Sequence, residues 1–208
     1  SEGFGIATAD GADIVTMNGK ISNPVSSLNL YGGNDILTLG SNFSSAGIFG
    51  GGDGTDTITG GAGADQLSGD GAADIFVFSD GDSGAYNTAS AKVASTVNFD
   101  IILDSAATDV INLAAALETA ADYDTFTTAT AGADLTATVT TNTIAQFIGT
   151  YDGSANTFTS DTSGDDIMLG YINAAADTTV DECIIIVAAA GGNVFANSEL
   201  TDGVITIA

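Results

Sequence analysis

Asp56, Asp65 and Asp74 recur at intervals of nine residues, and a large apolar residue (Ile58, Leu67 or Phe76) follows each by two positions. Glycine precedes them with equal regularity. Gly51-Gly52-Asp53-Gly54-Thr55-Asp56-Thr57-Ile58-Thr59 and Gly60-Gly61-Ala62-Gly63-Ala64-Asp65-Gln66-Leu67-Ser68 both fit G-G-x-G-x-D-x-U-x at every fixed position, where U is a large apolar residue. A third copy, Gly69 to Val77, keeps Gly69, Asp74 and Phe76 but places Asp70 and Ala72 where glycines are expected. This spacing suits oxygen chemistry. Glycine tolerates positive φ and lets carbonyl groups turn inward without a Cβ clash, and the aspartate adds a carboxylate to the same corner. Calcium accepts six to eight such oxygens in flexible geometry, whereas magnesium demands a stricter octahedron.

Within each nonapeptide, six residues suit a tight turn and three a strand, so two copies complete one coil of a flattened helix. Corners 18 residues apart then stack on the same side. On that geometry Asp56 and Asp74 share an ion on one side of the roll. Asp65 faces its neighbours on the other side, near Asp80 and Asp82. The expected cofactor is Ca2+. Its candidate ligands are Gly51, Gly52, Asp53, Gly54, Asp56, Gly60, Gly61, Gly63, Asp65, Gly69, Gly71, Asp74, Asp80 and Asp82. Weaker upstream copies, Asp10-Gly11-Ala12-Asp13-Ile14-Val15-Thr16 and Gly32-Gly33-Asn34-Asp35-Ile36-Leu37-Thr38, add Asp13 and Asp35.

Charge points the same way. Only Lys20 and Lys92 oppose 27 acidic residues, and all but Glu2, Glu118, Glu182 and Glu199 of these are aspartate. A net charge of −25 makes the compact state repel itself unless counter-charge is bound. Nucleic acid is excluded as a direct partner because phosphate binding needs Lys and Arg, and an anionic membrane surface is disfavoured for the same reason. Histidine is absent, which removes the usual zinc ligand and the base of a Ser-His-Asp triad. Paired carboxylates suggest a glycosidase, but tryptophan is absent and aromatics are only 7% of the chain, too few for a sugar-stacking cleft. No enzymatic activity is expected.

The elements that position the repeats read as β throughout, with an expected boundary at Asp82. Residues 1–82 form a parallel β-roll, regular at its end and degenerate at its start. Residues 83–208 form a mostly β, sandwich-like region. Thr136 to Thr150, Ile167 to Ile172, Ile184 to Val187 and Val204 to Ile207 mix threonine with β-branched and aromatic residues in the manner of strands. Leu113, Leu117 and Ala121 recur at helical spacing, so one short helix is expected over Leu113 to Asp122. Asp100, Asp104 and Asp109 read as polar turn residues, and Ser163-Gly164-Asp165-Asp166 as a β-turn. Cys183 sits in an apolar run and reads as core; that run is too short to span a bilayer, so no membrane insertion is expected. No basic, apolar export leader stands at Ser1 to Gly5, so the chain is expected to be a processed fragment or to carry its export signal elsewhere.

The nonapeptides of residues 51–77 resemble those of the RTX calcium-binding β-roll family. Asp74 to Gly84 looks like the strand and turn that follow the roll in serralysin-type C-terminal domains. Phe99-Asp100 and Thr108-Asp109-Val110-Ile111-Asn112-Leu113 are similar to the segment that comes next in them. The chain lacks the H-E-x-x-H zinc helix, so protease activity does not carry over. The composition is also similar to that of RTX-type bacterial surface-layer proteins. The resemblance implies calcium-driven folding outside the cell, with type I export read from the extreme C-terminus, here Gly203 to Ala208.

Two functions are therefore expected. The first is a non-catalytic, calcium-dependent structural protein, secreted to the extracellular space or cell surface, that self-assembles as a surface-layer or matrix-fibre subunit. Calcium would bridge it into a homo-oligomer or polymer, and a cell-surface polysaccharide is a further candidate partner. The alternative is a C-terminal RTX folding and secretion module of a larger secreted hydrolase, toxin or adhesin.

Overall fold

The computed structural model describes residues 4–18, 25–40, 47–84, 93–95, 98–117, 123, 125–128, 143–171, 182–187 and 195–207. Four coils, each of two strands, open the chain: β1 (Phe4–Ala7) with β2 (Ile14–Met17), β3 (Val25–Asn29) with β4 (Ile36–Leu39), β5 (Ile48–Asp53) with β6 (Thr57–Thr59), and β7 (Gln66–Gly71) with β8 (Ile75–Ser79). After the short strand β9 (Val93–Ser95), a fifth coil is made by β10 (Asp100–Asp104) and β11 (Val110–Ala115). First strands pair in parallel with first strands, and second strands with second strands. The result is a parallel β-roll with two sheets facing one core.

The roll closes because the residue two places after each corner aspartate points inward. In one sheet Leu37, Ile58, Phe76 and Ile111 lie in register on successive strands. In the other, Leu28, Phe49, Leu67 and Ile102 do the same. All are at most 1% exposed. Each such burial contributes about 1.5–3 kcal/mol, and the nine-residue period delivers one side chain per strand to the same stack.

The second sheet continues into the remaining strands: β12 (Phe126–Thr128), β13 (Ile144–Asp152), β14 (Thr157–Ser160), β15 (Asp166–Tyr171) and β16 (Glu182–Ile186). β16 pairs in parallel with β10, then β15, β13, β14 and β9 follow in antiparallel order. Both faces are buried along β15, from Cys183 to Ile186 in β16 and from Ile144 to Phe147 in β13. Ile167, Leu169, Ile184 and Ile186 join the core of the roll, while Met168, Cys183 and Ile185 join a second cluster with Phe99, Phe147 and Phe158. The apolar run at Cys183 is thus a strand covered on both sides, as its lack of alternation implies.

β17 (Leu200–Thr201) and β18 (Val204–Thr206) end the first sheet, β18 running antiparallel to β11. The fold is nearly all β. Among the described residues the helical structure is confined to one 3-10 turn at Asn197–Glu199. The helix expected from Leu113 is corrected: Leu113 belongs to β11, and Ala116 and Leu117 form a turn. The Leu117 amide donates to the Leu113 carbonyl at 3.1 Å, so one turn places both leucines in the core. Residues 118–122 of that expectation, Thr136 to Asn142 and Ile172 lie outside the described residues, as do Lys20 and Lys92.

The outer face of the first sheet is built from the alternate residues of its strands. Ile14, Ile36, Thr57, Ile75, Val110 and Thr206 are cross-strand neighbours in one row. Thr16, Thr38, Thr59, Val77, Asn112 and Val204 make the next.

Candidate functional site

The corner aspartates form a ladder along one side of the roll. The Asp13 amide donates to Oδ1 of Asp35 at 2.7 Å, the Asp35 amide to Oδ1 of Asp56 at 2.8 Å, the Asp56 amide to Oδ1 of Asp74 at 2.8 Å, and the Asp74 amide to Oδ1 of Asp109 at 3.0 Å. The backbone returns the tie: amides of Ile36, Thr57, Ile75 and Val110 donate to the carbonyls of Asp13, Asp35, Asp56 and Asp74. A shorter ladder runs along the other side. Oδ1 of Asp65 accepts from Gly47 at 3.0 Å, and Oδ1 of Asp100 accepts from the Asp65 amide at 2.8 Å. It stops where the Asp100 amide donates to Ser83 Oγ, whose hydroxyl donates to the Cys183 carbonyl at 2.6 Å.

Each carboxylate thus spends one oxygen on the neighbouring coil. At three rungs the other is left over: Oδ2 of Asp35, Asp56 and Asp65 is buried without a hydrogen-bond partner. No basic side chain belongs to the described residues. Burial therefore pushes the carboxyls up. Asp65 is raised to about 8, by desolvation first and then by Asp82. Asp74 is raised to about 7, by desolvation and by the charges of Asp109, Asp56 and Asp104. Asp56 and Asp82 are raised as well, again chiefly through burial.

The glycines shape the cradle. A Cβ on Gly51 or Gly69 would overlap Oδ2 of Asp56 or Asp74, and one on Gly60 would lie 3.3 Å from Oδ2 of Asp65. Gly52, Gly54 and Gly61 have φ of 104°, 126° and 73°. Asp70 and Ala72, the two departures in the third copy, adopt φ of 63° and 85°, so that corner keeps the left-handed path without glycine. Gly63 donates to the carbonyl of Asp82 at 3.1 Å, which brings the corner of Asp65 against that of Asp82. Asp82 is buried and accepts from the Ser79 amide through Oδ2. Asp53 and Asp80 are exposed, and Gly71 lies beside Asp53.

Corner carbonyls are partly engaged: the Gly33 amide donates to Asp53 at 2.8 Å and the Gly54 amide to Gly71 at 3.1 Å. A carbonyl has two lone pairs, so such a bond leaves one for a cation. Among the described residues no three acidic, cysteine or histidine side chains converge on a point. A cation held here would therefore take most of its oxygens from the backbone. Buried carboxylate oxygens without partners, beside carbonyl-rich corners, fit a hard dication.

Sequence spacing missed Asp100 and Asp109 as rungs. Both stand 35 residues after the rung they stack on, Asp65 and Asp74, and neither follows a glycine-rich corner. The surviving signal is the pair Asp-x-large apolar, Asp100 with Ile102 and Asp109 with Ile111. Asp104 caps the fourth coil, accepting from the Gly69 and Asp70 amides at 3.0 and 2.7 Å. Asp161 accepts from the Ser163 and Gly164 amides and from Thr150, closing the turn, while Asp166 accepts from the Tyr151 amide.

Together these features define a parallel β-solenoid whose corners are joined by buried aspartates. No family model matches the chain, and no curated protein matches it either. No helix among the described residues is long and apolar enough to cross a membrane.

Proposed function

We propose that the protein is a non-catalytic, calcium-dependent structural protein of the RTX type, working outside the cell and self-assembling there. The observation that carries this reading is the row of buried Oδ2 atoms of Asp35, Asp56 and Asp65 without partners, in a chain of net charge −25. A buried charge needs compensation or it neutralises by taking up a proton. Asp56 with Asp74, and Asp65 with Asp82, are the pairs that would hold calcium, with carbonyls of the adjoining corners completing the shell. Calcium would supply positive charge between carboxylates that otherwise repel, and so hold coil to coil.

Extracellular calcium modules bind at about 10⁻⁴ to 10⁻³ M, and calcium tenfold above Kd stabilises by about 1.4 kcal/mol per site. Several sites would be comparable with a domain stability of about 5–15 kcal/mol. In a calcium-poor cytosol the roll would stay open for export and close outside. Thermal unfolding followed by circular dichroism, in EGTA and in millimolar calcium, tests the reading: a rise of the midpoint with calcium supports it, and identical curves refute it.

A further inference from the structure

We propose that the turn at residues 79–84 is a latch through which calcium at the Asp65–Asp82 corner holds β16, and with it the strands beyond, against the roll. The inference rests on the calcium reading above and adds what that site controls.

In the order of the larger sheet β16 lies between β10 and β15, and β13, β14 and β9 follow, so by strand pairing β16 joins this part to the roll. Its pairing with β10 begins at Asp100, opposite Ile184. One residue earlier, at Cys183, the turn takes over from β10. Ser83 Oγ donates to the Cys183 carbonyl at 2.6 Å, and the Cys183 amide donates to the Gly84 carbonyl at 3.1 Å. The turn thus engages both main-chain polar groups of Cys183.

The same turn is tied to the corner of Asp65. Ser83 Oγ accepts from the Asp100 amide at 2.8 Å, and Oδ1 of Asp100 accepts from the Asp65 amide. Asp82 shapes the turn: its Oδ2 accepts from the Ser79 amide at 2.8 Å and its carbonyl from the Gly63 amide. Asp82, Ser83 and Cys183 are all buried. One hydroxyl therefore sits where β10, the turn and β16 meet.

Oδ2 of Asp65 is buried without a partner, and Asp82 brings a second buried carboxylate to the adjoining corner. Without a cation such charges repel or take up protons. A dication between them draws the corners together and sets Ser83 and Gly84 against Cys183. Release of the latch is a local event: a segment held by few bonds opens well below the cost of unfolding the whole.

Cys183 is the single cysteine and it is buried, so its rate of reaction with an aromatic disulfide reports the opening of β16. Labelling of the full chain in saturating calcium, with circular dichroism alongside, tests the latch. Ser83→Ala is expected to keep the wild-type spectrum and to react more than about tenfold faster, since the Asp100 amide and the Cys183 carbonyl lose a buried partner. Asp109→Ala, on the other ladder, is expected to react within about threefold of wild type despite its lower overall stability, because the opening is local. In a calcium titration, Asp82→Asn is expected to need more than about tenfold more calcium than wild type to protect Cys183. If Ser83→Ala loses the spectrum, the Asp82→Asn titration decides alone. Ser83→Ala labelling at the wild-type or the Asp109→Ala rate, or Asp82→Asn protected at the wild-type calcium concentration, overturns the proposal. The calcium reading fails on a different signal, melting curves indifferent to calcium, and the comparison of Ser83→Ala with Asp109→Ala then still decides whether the turn holds β16.

Discussion

The amide of Asp56 donates to Oδ1 of Asp74, one coil further along, at 2.8 Å, while Oδ2 of Asp56 is buried without a partner. The carboxylate at each such corner is thus both a structural acceptor and a charge in need of compensation. The two roles can be separated by substitution, because an amide keeps the acceptor and removes the charge.

Asp56→Asn is expected to raise the stability of the calcium-free protein at neutral to alkaline pH and to reduce its response to calcium. Asp56→Ala is expected to lower stability with or without calcium by about 1–3 kcal/mol, because the Asp35 amide loses its buried acceptor. Urea denaturation of both variants, in EGTA and in calcium, checks the pair. An Asn variant that behaves like the wild type would show that charge at this rung is immaterial, and equal effects from Asn and Ala that the acceptor is.

The pH dependence should run opposite to that of most acidic proteins. Asp65 and Asp74 have folded values of about 8 and about 7, above the ordinary carboxylate value of 3.8. The folded state therefore binds more protons than the unfolded chain between these limits, and stability falls as pH rises through that window. Without calcium, the melting temperature should be higher at about pH 5 than at about pH 8. Calcium competes for the same carboxylates, so its affinity should grow up to about pH 8 and its binding should release protons. Melting curves in EGTA and potentiometric proton release on adding calcium measure the two effects.

Backbone conformation offers a third test. Gly54 has φ of 126°, and a Cβ there would overlap the carbonyl of Gly33 in the coil before it. Gly11 has φ of 129° with open space around it. Gly11→Ala should cost only the strain of the left-handed path, about 1–3 kcal/mol, and Gly54→Ala clearly more. Ala72 already bears such strain at φ of 85°. Ala72→Gly should therefore stabilise, by about 1 kcal/mol. Denaturation midpoints of the three variants decide the order.

The fifth coil is tested at Asp109, which accepts from Asp74 through Oδ1 and from Ala106 through Oδ2. Asp109→Ala should lower stability by about 1–3 kcal/mol. The exposed Asp165 serves as comparison, where alanine should change stability by less than about 0.5 kcal/mol. A similar cost at both positions would deny the ladder its role.

Much of the roll is legible in the residues themselves. The interval between Asp56, Asp65 and Asp74, with Ile58, Leu67 and Phe76 two places on, sets turn, strand and inward direction together. Legibility fades where an insertion breaks the count: Asp100 and Asp109 keep the interval of nine, but they stack on Asp65 and Asp74 across 35 residues, an offset the repeat does not contain. The helix expected at Leu113 failed for a related reason. A separation of four residues between Leu113 and Leu117 fits a helix or a single turn ending a strand, and the pairing of β11 with β18 chose the turn.

The repeat alone determined that this chain coils as a parallel β-structure with aspartate at its corners, because a period of nine puts one carboxylate and one core side chain in every strand-and-turn unit. Only the tertiary structure decided what each carboxylate does. Stacking assigns one oxygen to an amide of the preceding coil and, at Asp35, Asp56 and Asp65, leaves the other buried, and it holds Asp70 and Ala72 in a conformation that neither residue prefers. The physical reason is that corner geometry belongs to the stack: ladder hydrogen bonds from both neighbouring coils impose the backbone path, whether or not the local residue is glycine.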